Sequence, residues 1–194
     1  DFCTAIVEAT HELVCCFKPQ VAYFSAVGAE DQLEKLVLYI KEQHPDIPVI
    51  LDAKRGDIGS TAALYAKEAY ERYGADAVTV NPYLGFESIE PYMKYEDKGI
   101  VVLCRTSNPG SDWLQKDKKD SVPVYQRVAK QVADWNKEDQ FVLVTGATYP
   151  EELGEVRKIV GRMPLLVPGI GAQGGDVKPV LEVGLDQKAQ GLII

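Results

Sequence analysis

Pro48-Val-Ile-Leu-Asp52-Ala-Lys54-Arg-Gly-Asp57-Ile58-Gly-Ser-Thr61 is an apolar run that ends in alternating charges. Val49, Ile50 and Leu51 read as a strand buried on both faces, the mark of a parallel sheet covered by helices. Asp52 and Lys54 stand two apart, so on a regular strand their side chains share one side. An ordinary i, i+2 ion pair on an edge strand is the bland alternative. It is disfavoured because this strand reads as central, where charges are costly unless paired or functional. A lysine among carboxylates keeps its proton and can deliver it to a nascent carbanion. Lys18, on the neighbouring strand, is expected to approach the same spot.

Working outward, the chain alternates amphipathic stretches with short apolar runs. Residues 1–12 place Phe2, Ile6, Ala9 and Leu13 at helical spacing and run into the strand-like Val14-Cys-Cys-Phe17. A helix is predicted over about 30–44 on Leu33, Leu36, Val37 and Ile40, ended by Pro45 and Pro48. Another opens near Ser60 as N-cap and stops at Gly74. Further strands are expected at about 77–80, 99–104, 141–145, 164–167 and 191–194, with helices near 87–95, 122–136, 150–160 and 176–183. An open doubly wound sheet could hold seven strands, but such folds usually begin with a strand. The leading helix fits instead a TIM (β/α)8 barrel lacking, in residues 1–194, its first strand and the end of its last βα unit. The 194 residues fall somewhat short of the ~250 typical of that fold. No linker divides the chain, so residues 1–194 read as one barrel domain.

Composition removes several classes of function. With 21 basic and 29 acidic residues the net charge is −8, which argues against a nucleic-acid or anionic-membrane binder. No apolar run reaches the ~18 residues of a membrane span. Cys3, Cys15, Cys16 and Cys104 show no metal-ligand spacing and read as buried small residues in a reducing cytoplasm. His11 and His44 read as surface residues of helices, so neither a zinc site nor histidine acid–base chemistry is expected.

The C-terminal strand ends, where barrel active sites lie, are the polar ones, while the N-terminal ends look unremarkable. They read Lys18-Pro-Gln20, Asp52 through Thr61, Asn81-Pro-Tyr-Leu-Gly85, Arg105-Thr-Ser107-Asn-Pro-Gly110, Thr145-Gly-Ala147 and Pro168-Gly-Ile-Gly-Ala-Gln173-Gly-Gly175. In the last, small residues expose backbone N–H groups, a helix N-terminus follows, and Gln173 adds a side-chain donor. Such a loop cradles a phosphate with little net positive charge. No Walker-type lysine follows it, which argues against a nucleoside-triphosphatase loop. The polar stretch from Arg105 to Asp120 reads equally as a lid over substrate or as a solvated insertion.

Five of these blocks resemble the orotidine 5′-phosphate decarboxylases, in particular their bacterial second subclass. They are Leu51 through Thr61, Lys18-Pro-Gln20, Val80 through Gly85, Thr106 through Gly110 and Val167 through Gly175, in the right order. The resemblance implies a cytoplasmic homodimeric TIM barrel converting orotidine 5′-phosphate to UMP and CO2, the last step of de novo pyrimidine synthesis. It implies neither metal nor organic cofactor, and no nucleic-acid or membrane partner. Lys18, Asp52, Lys54 and Asp57 match the family's charged network, with Lys54 as proton donor, Asp52 orienting it and Lys18 holding the ribose. Asp57, with Ile58 and Thr61, would reach the substrate of the other subunit. Ser107 matches a pyrimidine contact; Pro168, Gly169, Gln173 and Gly174 match the phosphate loop; Asn81 joins the substrate-binding set. The family's ribose-contacting aspartate and phosphate-binding arginine would lie before Asp1 and after Ile194. Magnesium-dependent phosphosugar decarboxylases and aldolases share an Asp-x-Lys-x-x-Asp strand, but the Lys18-Pro-Gln20 and Gly171-to-Gly175 blocks fit them poorly. A non-catalytic phosphate-binding barrel would be marked by a broken charge network, and here all four members are present.

Overall fold

The computed structural model describes residues 2–171 and 173–194, and the chain divides into two compact units, residues 1–100 and 101–194. Each is built of parallel strands alternating with helices.

The first unit opens with α1 (Phe2–Thr10) and a 3-10 turn over His11–Leu13, followed by α2 (Val21–Ser25) and α3 (Glu30–Gln43). Leu33, Leu36, Val37 and Ile40 form the buried stripe of α3, the i, i+3, i+4, i+7 spacing of a helix that covers a sheet. Its first turn carries Glu30 and Asp31 and its last turn Lys41, each at the end where the helix dipole favours its charge. On α1 the expected apolar face is not the covered one: Phe2, Ile6 and Leu13 are exposed and Val7 is buried. The short α2 was not foreseen.

Strand β1 (Ile50–Arg55) pairs in parallel with β2 (Ala77–Val80). The segment expected as a strand over 14–17 is not one. It makes only isolated parallel bridges, Phe17 with Val49 and Gln20 with Asp52. Phe17 exchanges hydrogen bonds with Pro48 and Ile50, and Asp52 N–H donates to the Pro19 carbonyl at 2.9 Å. The bond that would continue the ladder from residue 19 to Ile50 cannot form, because proline has no N–H. Between β1 and β2 comes α4 (Gly59–Lys67), which runs into a π-helical turn over Glu68–Arg72. Its N-cap is Ile58, two residues ahead of the expected Ser60. After β2 the chain makes 3-10 turns over Pro82–Leu84 and Phe86–Ser88, then α5 (Glu90–Met93) and the start of β3 (Gly99–Arg105).

The N-terminal strand ends are not as featureless as the sequence suggests. Asp76, just before β2, accepts from the Val49 amide at 2.9 Å and from Lys41 Nζ at 2.5 Å. That carboxylate ties the foot of β1 to α3.

The second unit takes up β3 from Val101 and continues with α6 (Asp112–Gln115) and the antiparallel pair β4 (Lys118–Lys119) and β5 (Val122–Pro123). It proceeds through α7 (Val124–Trp135), β6 (Phe141–Thr145), α8 (Pro150–Val160), β7 (Leu165–Leu166), α9 (Val177–Gly184) and β8 (Leu192–Ile193). β6, β7 and β8 pair in parallel, Leu143 with Leu165 and Leu165 with Leu192. Phe141, Leu143, Leu153, Val156 and Leu165 are nearly inaccessible and form the core between strands and helices.

Arg157 of α8 is buried in that unit with no carboxylate hydrogen-bonded to it among the described residues. Its guanidinium instead donates to four carbonyls, those of Gly184, Gly161, Met163 and Gly191, at 2.6–2.8 Å. Burial pulls its pKa down from the ordinary arginine value, but the carbonyl oxygens satisfy the N–H groups as burial requires. The side chain thus gathers the ends of α8 and α9 and the approaches to β7 and β8. The cysteines divide: Cys104 is buried, Cys3 and Cys16 are half-buried, and Cys15 is exposed. Burying all four was therefore wrong for three of them: Cys15 and Cys16 lie beside the bridges rather than in a central strand, and Cys3 lies on α1, whose buried residue is Val7. Among the described residues no helix is long and apolar enough to cross a membrane.

Candidate functional site

In the first unit the charged residues at the end of β1 form a connected cluster. Asp52 is 5% exposed. Its Oδ2 receives Lys18 Nζ at 3.0 Å and its Oδ1 receives Lys54 Nζ at 2.7 Å. Thr79 of β2 donates its hydroxyl to the same Oδ1 at 2.8 Å. Burial pushes the Asp52 carboxyl up, but the Lys54 hydrogen bond, the charge and hydrogen bond of Lys18 and the Thr79 hydroxyl outweigh it. The net result lies below the ordinary aspartate value. The cluster therefore holds an ionised carboxylate between two ammonium groups. Lys54 remains about half exposed, so its amine can reach a bound molecule.

Regular strand alternation does not bring Lys54 to Asp52. Lys54 has φ +46°, and the β1–β2 register slips between Leu51, opposite Val78, and Arg55, opposite Val80. The strand bulges there, as strands often do beside functional sites. Two consecutive amides, Ala53 and Lys54, both donate to Thr79 Oγ1 at 2.9 Å. Thr79 thus holds the bulge in place and orients Asp52 at once. A left-handed non-glycine residue costs roughly 1–3 kcal/mol unless its surroundings over-determine it, and this hydroxyl does so. Sequence reading missed Thr79, whose signal was a lone hydroxyl within the otherwise apolar Ala77-Val-Thr-Val80.

The remaining expected residues of this unit make local contacts. Asp57 Oδ1 accepts from the Ile58 amide at 2.8 Å, at the entrance to α4. Ile58 and Thr61 are exposed. Asn81 caps the following 3-10 turn, its Oδ1 accepting from Tyr83 N at 3.0 Å. Its side chain also packs where a Cβ on Gly56 would come within 3.2 Å.

In the second unit a different set converges. A Cβ on Gly146 would lie 2.7 Å from Ser107 Cα, and one on Gly175 would lie 2.5 Å from the Gly169 carbonyl oxygen. No side chain fits at either position, so glycine is what allows these loops to close on one another. Thr148 Oγ1 donates to the Ser107 carbonyl at 3.0 Å, and the Ala147 amide donates to the Pro168 carbonyl at 2.8 Å. Gly169, at φ +108°, stands beside Ser107, Thr148 and the Gln173 amide group. The Gly175 amide returns to the Gly169 carbonyl at 2.9 Å and the Gly174 amide to that of Gly171 at 2.8 Å. Ser107, Pro168, Gly169 and Gln173 are thus brought together. Asp176 caps α9 just beyond, accepting from Lys178 N.

The polar stretch after β3 is anchored at its root. Arg105 is fully buried, lies 3.7 Å above the Tyr149 ring and donates to Asp112 at 2.6 Å and to Ser111. Gln115 accepts from the Thr106 amide at 2.9 Å. The segment is structured as a 3-10 turn, α6 and the β4–β5 pair, rather than being a bare loop.

One cluster lies outside both sets. Glu8, His11 and His44 approach within 4.8 Å of one another through their ligating atoms. The two imidazoles, read from sequence as separate surface residues, are stacked at 4.2 Å.

A model of the orotidine 5′-phosphate decarboxylase / HUMPS family matches residues 1–194. The chain belongs to that family. Curated relatives narrow the branch. The chain is 58% identical over 194 residues to the orotidine 5′-phosphate decarboxylase of Janthinobacterium sp. (strain Marseille), covering all of this chain and 72% of that protein. It is 59% identical over 195 residues to that of Ralstonia pickettii (strain 12J), again covering 72% of that protein. Among solved structures, Leishmania donovani OMP decarboxylase superposes with TM-score 0.92 at 39% identity, over 99% of this chain and 75% of that one. Leishmania donovani UMP synthase gives 0.94 at 42%, with this chain spanning 43% of its length. The decarboxylase of Methanocaldococcus jannaschii, at 23% identity and TM-score 0.77, shares the fold. The fold is accordingly the family's TIM barrel, and the chain is an enzyme of the decarboxylase type that these relatives name.

Thr79→Val should lower stability by about 2–4 kcal/mol, because two amides lose their acceptor and a buried carboxylate loses a donor. Thr79→Ser, which keeps the oxygen, should stay close to the parent. Urea unfolding of the two variants checks this, and equal stability of Val and Ser would contradict the role given to the hydroxyl.

Proposed function

We propose that this protein decarboxylates orotidine 5′-phosphate to UMP and CO2, in the final step of de novo pyrimidine synthesis, without metal or organic cofactor. The observation that carries the reading is Asp52 held ionised between Lys18 and Lys54 at distances of 3.0 and 2.7 Å. In this reaction the bond from C6 to the carboxylate breaks and its electron pair stays on C6. Ring resonance gives that pair little help, so fixed positive charge must stabilise it. Lys54 would then donate a proton to C6 and recover one from solvent.

Asp52 in this reading orients Lys54 and sits near the substrate carboxylate, while Lys18 holds the ribose and positions Asp52. The first unit supplies this proton-handling set, with Asn81 assigned to substrate binding. The second unit supplies recognition, with Ser107 toward the pyrimidine and Pro168, Gly169, Gln173 and Gly174 toward the phosphate. The two units would serve as one barrel domain. A magnesium-dependent phosphosugar reaction is the less supported reading: the family description covers that branch, but the curated relatives at 58–59% identity carry the decarboxylase name.

Ile58 and Thr61, which follow Asp57 at the entrance to α4, are exposed, as residues reaching a partner's substrate would be. The proposal therefore includes a cytoplasmic homodimer in which Asp57 acts across the interface.

Orotidine 5′-phosphate absorbance should decay with the full-length protein at the same rate with and without EDTA. Lys54→Ala should abolish turnover while nucleotide binding stays measurable, since its contribution is made in the transition state. EDTA-sensitive turnover, or comparable losses of kcat and binding in the variant, would overturn the mechanism. Sedimentation of the active enzyme should give a dimer, and a strictly monomeric active species would remove the role given to Asp57.

A further inference from the structure

We propose that Glu8, His11 and His44 form a binding site for a borderline divalent transition ion, with zinc as the reference case, which fastens the N-terminal helix to the end of α3. Glu8 and His11 are three residues apart at the junction of α1 and the following 3-10 turn, which puts them on one helical face. His44 is the C-cap of α3, where the helix has ended and the imidazole can turn back toward α1. The three ligating atoms lie within 4.8 Å of one another. Bonds of about 2.0 Å in tetrahedral geometry require ligand atoms roughly 3.3 Å apart, so side-chain rotation must close the present separation.

The imidazoles stack at 4.2 Å with 22° between their planes; because a metal lies near the plane of each ring that ligates it, one imidazole must turn out of the stack to share it. The carboxylate is also held in place: Glu8 Oε1 receives Tyr39 OH and meets His44 Nε2, each at 2.8 Å. The tyrosine supplies the orienting hydrogen bond that metal-ligating groups commonly receive from outside the coordination sphere. Two nitrogens and one carboxylate oxygen suit zinc, nickel or copper better than magnesium or calcium. A water would complete four-coordination.

The site takes no part in the decarboxylation proposed above, so EDTA-insensitive turnover and metal binding here are compatible, and each can fail without the other. The test uses chelator-stripped full-length protein and ZnCl2. Equilibrium dialysis should show one zinc per chain at micromolar concentrations, with a rise in Tm as the bound state is favoured. His11→Ala and His44→Ala should each weaken binding by roughly tenfold or more, with orotidine 5′-phosphate turnover unchanged. Co2+ added to the unaltered protein gives a readout that needs no variant: four-coordinate visible bands, displaced by zinc, are expected. A strong thiolate-to-cobalt charge-transfer band would place the ion on the cysteines and overturn the assignment. So would zinc binding that both histidine variants leave intact, or no stoichiometric binding, which would leave the cluster as a proton-shared ion pair.

Discussion

A carboxylate with only 5% of its surface accessible sits at the end of β1, and much of the first unit is arranged to keep it charged. An unpaired buried charge costs several kcal/mol even after relaxation. Asp52 meets that cost with two lysines and a threonine hydroxyl, one from the bridged segment before β1, one from β1 itself and one from β2. These donors fix where the three pieces of backbone sit. The bulge that carries Lys54 at φ +46° follows from the same constraint, because an unbulged strand would not deliver its amine and its amide to the positions they occupy. The strained backbone and the buried charge thus stabilise one another.

The second unit solves a different problem by subtraction. Backbone must approach backbone around Ser107, Gly169 and Gly175, and glycine at 146 and 175 removes the atoms that would forbid it. The outcome is a small, backbone-lined arrangement beside the Gln173 amide side chain.

Much of this was legible in the residues. The stripe of α3, the placement of β2 and β6 and the span of α8 follow from periodicity and from proline and glycine punctuation. The pairing of Asp52 with Lys54 was also foreseen, though for the wrong reason: alternation suggested it, and a bulge produces it. Thr79 was not visible because a hydroxyl in a strand has no sequence signature until its cross-strand neighbours are known. The segment at 14–17 misled because apolar residues resemble a strand, while the missing N–H of Pro19 interrupts the ladder. His11 and His44 looked solitary because 33 positions separate them, and only the packing of α1 on α3 brings their rings together.

The charged cluster requires Asp52 to be ionised wherever the protein is folded. Because its pKa is lowered in the folded state, its stabilising contribution is fully present above the ordinary aspartate value of about 3.9. That contribution is lost as pH falls through the lower, folded value. Carbon-13 NMR titration of the Asp52 carboxyl in selectively labelled full-length protein measures this directly. A midpoint clearly below that of unfolded aspartate is expected, rising toward or past it in a Lys18→Ala variant. A midpoint at or above the ordinary value in the unaltered protein would mean that burial outweighs the two lysines, and the charged cluster would not exist as described.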